Sequence, residues 1–297
     1  MPAQERPSLG DRVTTTAVRL TKARDQGPPP SLRMDVNRVL IPVTVTDQND
    51  QKLEGLQKTD FRILEDGVEQ PISEFFLDES PVSMGVILDA SNSMKDKIDL
   101  SRRALVALLR LCPPEDAYFL ITVQDRPQLA HAVTQEPDQI EAAMQPVIPK
   151  GWTALYDGMY LAMNRLRRSE NSERVLVVLS DGGDNNSRYT ESEIRSLMRE
   201  SGVRVFSISV LGRSTSMEKF SEESGGRAFQ ARKLDELSGL AVKINALIHG
   251  EYVLGFSPRN EPRDGKYHAI RVQLTQTSAP NARPRVTSRH GYYAPAQ

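Results

Sequence analysis

Three short stretches of the chain concentrate side-chain oxygens. Asp89-Ala90-Ser91-Asn92-Ser93 follows the apolar run 84–88, and Ser180-Asp181-Gly182 follows the apolar run 175–179. Thr153, after Gly151-Trp152, stands just ahead of a stretch with helical spacing at 155–167. Together they offer two carboxylates, Asp89 and Asp181, and three hydroxyls, Ser91, Ser93 and Thr153. All five are hard oxygens. Soft metals prefer thiolate or imidazole, so this set suits Mg²⁺, Mn²⁺ or Ca²⁺. The Asp-x-Ser-x-Ser spacing lets one loop turn both seryl oxygens toward the same point. A local alternative exists for each piece: Ser91 and Ser93 could cap the helix expected at 96–111, and Ser180-Asp181-Gly182 could be an ordinary turn. Those alternatives explain each piece but not their coincidence.

Enzymatic chemistry finds little support. A haloacid-dehalogenase-like phosphatase also has a strand ending in Asp, but it needs a second Asp two positions on, where this chain has Ser91. There is no Gly-x-Ser-x-Gly elbow and no Gly-x4-Gly-Lys-Ser/Thr phosphate loop. His131, His249, His268 and His290 are scattered without a His-Glu-x-x-His pattern, and each reads as structural or surface. No catalytic residue and no organic cofactor is assigned. The lone Cys112 excludes an intrachain disulfide and reads as a small buried residue near a helix end.

The elements that must position these oxygens alternate. Apolar runs at 84–88, 118–123, 175–179 and 203–210 are separated by stretches of helical periodicity at 100–111, 138–144, 155–167, 191–200, 216–224 and 234–248, with shorter strands at 128–133 and 228–230. Strands apolar on both faces need helices on both sides, which predicts a doubly wound, mostly parallel α/β sheet. Ligands of such sheets sit beyond the carboxyl ends of the strands, where all three oxygen-rich loops would emerge. Before and after this region the texture is β: runs at 39–46, 61–70 around an Asp66-Gly67 turn, and 72–77, then 252–256, 267–274 and 285–288. Neither β segment is long enough to bury an apolar face alone, so the two are expected to join in one small sandwich. The expected organisation is a flexible Pro-rich leader at 1–35, an N-terminal β segment at 36–80, the α/β domain at 81–250, and a C-terminal β segment at 251–297.

The chain of 297 residues carries 38 basic and 39 acidic residues, a net charge of −1. No global field favours nucleic acid or an anionic membrane. No run of 18 apolar residues spans a membrane, and the first residues do not form a signal peptide as written.

The order Asp-x-Ser-x-Ser, then Thr, then Asp resembles the metal-ion-dependent adhesion site of von Willebrand factor type A (VWA) domains. The resemblance implies a VWA, Rossmann-like fold in which Ser91, Ser93 and Thr153 are hydroxyl ligands and Asp89 and Asp181 act mainly through bound water. A cation so held keeps a vacant position that an Asp or Glu of a protein partner can fill. Over residues 36–296 the chain is similar to a narrower set, the VWA proteins abundant in acidobacteria. That similarity rests on Val43–Asp47, Asp60-Phe61, Glu65-Asp66-Gly67, Thr153–Asp157, Ser180–Asp184, Gly225–Phe229, Tyr252–Phe256, Asp264-Gly265-Lys266 and Arg289–Tyr293. It implies an extracytoplasmic, adhesin-like module. The rival implication is an intracellular assembly factor for a chelatase- or ATPase-type complex, and a metal-dependent hydrolase ranks behind both. Trp152 departs from the pattern, standing where glycine is usual: a ring there either contacts the partner and shields the ion or packs on the domain rim. Asp184 either adds outer-sphere negative charge to the ion or, as expected, is a solvated loop carboxylate, and Asp157 is expected to serve the dipole of the helix it begins.

Overall fold

The computed structural model describes residues 38–295 except 182, 211–213, 234–235, 259–263 and 276–283. The expected leader at 1–35 lies outside the described residues. The first segment forms β1 (Val39–Thr46), β2 (Phe61–Glu65), β3 (Val68–Gln70) and β4 (Glu74–Asp78). Asp66 and Gly67 both have positive φ, 47° and 83°, the geometry an Asp-Gly hairpin turn between β2 and β3 requires.

The α/β layer follows: β5 (Val82–Asp89), α1 (Ile98–Leu109), β6 (Ala117–Val123), β7 (Pro127–Thr134), α2 (Pro137–Met144), α3 (Leu155–Leu166), β8 (Glu173–Ser180), α4 (Glu191–Ser201), β9 (Arg204–Val210), α5 (Thr215–Ser224), β10 (Ala228–Ala231) and α6 (Leu237–Ile248). The six strands form one sheet in the order β10-β9-β8-β5-β6-β7. All neighbours are parallel except β7, which runs antiparallel to β6 at the edge. The strand order reverses between β5 and β8, which makes their carboxyl ends the switch point of the sheet.

Helices cover both faces. Met84, Val86 and Leu88 of β5 pack with Leu105 and Leu108 of α1 and Ile244 and Leu247 of α6. Ile87 of the same strand points the other way, to Leu155, Met159 and Met163 of α3. At Gly85 a β-carbon would lie 2.7 Å from the Phe119 ring, so the missing side chain makes room for that aromatic in the second core. The doubly wound sheet expected from the apolar runs is the fold observed.

The last segment adds β11 (Glu251–Phe256), β12 (Tyr267–Leu274), β13 (Arg285–Ser288) and β14 (Gly291–Tyr293). These pair antiparallel with the N-terminal strands in two four-stranded sheets, β13-β1-β11-β4 and β14-β12-β2-β3. Between them lie Ile41, Val43, Phe61, Ile63, Leu254, Phe256, Ile270 and Val272. Burial of each such side chain contributes roughly 1.5–3 kcal/mol, and neither segment supplies both walls of that core by itself. The sandwich is therefore built from the two ends of the chain, as its composition requires. Strand β14 is not among the strands that the sequence pattern predicts.

A buried polar joint ties the sandwich to the sheet. Arg204, the first residue of β9, donates to Glu251 Oε1 at 2.5 Å and to the carbonyls of Leu247 and Ile248 at 3.3 and 3.0 Å. It thereby satisfies carbonyls that the end of α6 leaves open. Thr44 of β1 donates to the same Glu251 oxygen at 2.9 Å, and His249 Nε2 lies 2.7 Å from the buried Asp116.

Candidate metal-binding site at the switch point

Asp89 ends β5 and is completely buried. Its Oδ1 accepts the Ser91 amide at 2.9 Å, and its Oδ2 accepts the Ser180 hydroxyl at 2.6 Å. Burial pushes this carboxyl above its ordinary range; the hydrogen bonds from Ser180 and Ser91 oppose that, and the nearby Asp181 carboxylate reinforces it. The Ser91 and Ser93 hydroxyl oxygens are 3.1 Å apart. Ser91 precedes the short 3-10 turn Asn92–Met94 without capping it, and α1 starts behind Lys97, clear of both serines. The helix-cap alternative for this pair therefore does not describe the chain.

Asp181 follows β8. Its Oδ2 accepts Lys97 Nζ at 2.9 Å, and Ser93 hydrogen-bonds the same carboxylate. Burial acts to raise it, but the Lys97 and Ser93 hydrogen bonds and the ammonium charge prevail and hold it below the usual carboxylate range. The first and third loops thus meet through Ser93 and Lys97.

The second loop is stitched between them. Asn92 donates its amide to Gly151 O at 3.1 Å, and Lys150 to Ala90 O at 2.9 Å. Trp152 donates its amide to Asp125 Oδ1 at 2.7 Å. The buried Thr153 donates its amide to Asn185 Oδ1 at 2.9 Å, while its carbonyl accepts the amides of Asn185 and Asn186, both at 3.1 Å. Gly151 is required twice over. Its φ is +71°, and a β-carbon there would lie 2.6 Å from the Asp125 carboxylate.

Ser91, Ser93 and Thr153 line one cavity of about 340 Å³ with Asn92, Gly151, Trp152 and Asn185. Asp89 lies beneath this group and Asp181 beside it, joined through the serines. Trp152 is 64% exposed and is among the residues that line the cavity. Among the described residues no three His, Cys, Asp or Glu side chains converge. Any ion here depends on hydroxyls as well as carboxylates, and the donor set on the page is one a hard cation fits.

Two carboxylates behave differently from expectation. Asp184 is not a solvated loop group: its Oδ1 accepts the amides of Leu155 and Tyr156 at 2.8 and 3.2 Å and the Ser187 hydroxyl at 2.5 Å. It satisfies open amides at the start of α3 from outside the helix. Asp157 does stand in the first turn of α3, but it is buried and also accepts the amides of Arg188 and Tyr189 at 2.9 and 3.2 Å. Both carboxylates anchor residues 184–189 against the Thr153 loop. The sequence reading did not single out Asp125, Asn185 or Lys97. Asp125 carried a signal, a carboxylate just past an apolar strand, like Asp89 and Asp181.

A six-stranded sheet in this order, with oxygen-bearing loops gathered at its switch point and helices on both faces, defines an α/β domain of the Rossmann-like type. Residues 84–183 match the family model described as the von Willebrand factor type A domain. The chain is similar to several solved structures. Proximal thread matrix protein 1 from the mussel byssus, with a zinc-occupied MIDAS motif, has 21% identity and a TM-score of 0.51 over 60% of this chain, which spans 48% of that one. BatB from Bacteroides thetaiotaomicron has 16% identity and a TM-score of 0.47 over 56% of this chain and 98% of its own. A von Willebrand factor type A protein from Catenulispora acidiphila has 12% identity and a TM-score of 0.48 over 88% of this chain and 74% of its own. No curated protein matches the chain. Among the described residues no helix is long and apolar enough to cross a membrane.

Proposed function

We propose that the protein is a divalent-cation-dependent protein-binding module in which Asp89, Ser91, Ser93, Thr153 and Asp181 hold one ion. Mg²⁺ is the first choice, with Mn²⁺ or Ca²⁺ as alternatives. The observation that carries this is Asp89: a carboxylate with no exposed surface, met by the Ser91 amide and by the Ser180 and Ser91 hydroxyls, with a second carboxylate for its neighbour. A buried charge so placed calls for a cation. When bound, the ion supplies a positive centre whose free position a partner's Asp or Glu carboxylate completes. Ser91, Ser93 and Thr153 add neutral oxygens, which leave the ion's charge only partly cancelled. The exposed ring of Trp152 offers the partner an apolar contact at the site. The mussel protein, with zinc in its MIDAS motif, is a case of metal held in this fold.

Residues 81–250 act as the binding unit, and 36–80 with 251–297 as the platform that carries it. An extracytoplasmic location follows from the family resemblance alone and is tested by fractionating the source cells. The central test is titration calorimetry of the wild-type chain, Asp89→Asn and Ser91→Ala with Mg²⁺ and Mn²⁺. The wild type should bind, and at a hundredfold excess over Kd gain about 2.7 kcal/mol of stability; both variants should fold and lose that gain. Unchanged affinity in both would refute the ligand assignment. Partner capture should vanish in chelator and return with cation.

A further inference from the structure

Lys97 stands outside the adhesion motif, yet its ammonium lies inside the cluster. It is the residue immediately before α1, and its backbone is fixed from both sides: its amide donates to Met94 O at 2.9 Å, and its carbonyl accepts from Ser101 N and Oγ at 3.0 and 3.1 Å. From that anchored position the side chain crosses from the first loop to the third and places Nζ 2.9 Å from Asp181 Oδ2. The two side chains are only 21% and 14% exposed, so solvent screens the pair weakly. Asp89, Asp181 and Lys97 sum to one negative charge; without the lysine the same shell carries two.

We infer that Lys97 is a resident counter-cation that tunes the site: it holds Asp181 when no metal is bound and competes with a divalent ion for that carboxylate. It rests on the metal-site reading above and adds to it. A fixed positive charge this close weakens attraction for an incoming cation. With the ion in place, the same charge leaves the shell net positive, which strengthens the pull on a partner's carboxylate. Loose cation binding and strong carboxylate binding would then have one source. A purely structural lysine predicts the reverse for its removal: a looser loop and a weaker site.

The opposite signs make the test decisive. Wild type, Lys97→Met and Lys97→Arg are titrated with Mg²⁺ and Mn²⁺ at one pH and ionic strength, with folding checked by circular dichroism. Lys97→Gln replaces the methionine variant if that one fails to fold. The neutral variant should bind cation roughly tenfold tighter, and the arginine variant should stay near wild type. In chelator the neutral variant should melt no higher than wild type, because it has lost the ion pair; the cation-dependent rise in Tm should be larger. Equal or weaker cation binding in the neutral variant overturns the inference while leaving the site intact. Absence of cation binding in every chain, wild type included, overturns the metal reading itself and this inference with it.

Discussion

Replacing Glu251 with glutamine removes one ionisable group from the joint between sandwich and sheet while keeping its shape and its acceptor oxygen. Glu251 is fully buried at the start of β11. Burial outweighs the Arg204 guanidinium, Glu173 adds to it, and the carboxyl is pushed from its ordinary 4.5 up to about 7. Below pH 4.5 it carries its proton in both the folded and unfolded chain. Between 4.5 and 7 the unfolded chain releases that proton while the folded chain keeps it, so stability falls as pH rises. Above 7 both forms are ionised and the deficit is constant. At about 1.4 kcal/mol per pH unit, the full penalty is about 3 kcal/mol. Glutamine carries no such penalty and still accepts from Thr44 and Arg204, and Arg204 keeps its bonds to the Leu247 and Ile248 carbonyls. Denaturant unfolding of both chains from pH 4.5 to 8 should show equal stability at the acid end. The variant should gain progressively to about 3 kcal/mol at the alkaline end. A difference independent of pH would refute the desolvation account. A wild type that gains on the variant as pH rises would show that Arg204, not burial, sets the balance.

Gly151→Ala should cost about 1–3 kcal/mol, because it forces a side chain into left-handed backbone and against the Asp125 carboxylate; denaturation measures this, and calorimetry should show weaker cation binding. Burial and then Asp116 push the Cys112 thiol up to about 12. At pH 8 its reaction with a thiol reagent should be about a thousandfold slower than that of an unhindered thiol, and should recover fully in denaturant. Rapid labelling of the native chain would contradict the burial.

The α/β core was legible because its signals are local and repeated: apolar runs for parallel strands, helical spacing between them, and turn residues at the junctions. The sandwich followed from a different argument, that two short β segments cannot each bury a face. What stayed hidden is what only partners decide. Strand β14 is three residues long and exists through its pairing with β12. The direction of β7 is not written in its sequence, although its alternating exposure, from Pro127 to Thr134, is that of an edge strand. Isolated polar residues such as Asn185 and Lys97 have no periodicity, and their contacts span 32 and 84 positions in sequence.

The ends of three neighbouring strands, β8, β5 and β6, are each followed or closed by a carboxylate: Asp181, Asp89 and Asp125. They differ in what answers them. Asp125 accepts the Trp152 amide and lies against Gly151, so it sets the loop that bears Thr153. Asp181 meets an ammonium from Lys97. Asp89, the deepest, is met by neutral groups among the described residues: the Ser91 amide and hydroxyl and the Ser180 hydroxyl. The carboxylate without a charged partner among the described residues therefore belongs to the central strand, Asp181 faces it with its charge partly answered by Lys97, and Asp125 builds the wall. It follows that neutralising Asp89 should abolish cation dependence at little cost to the metal-free fold, whereas changes at Asp125 or Gly151 should disturb the loop first and the ion only through it.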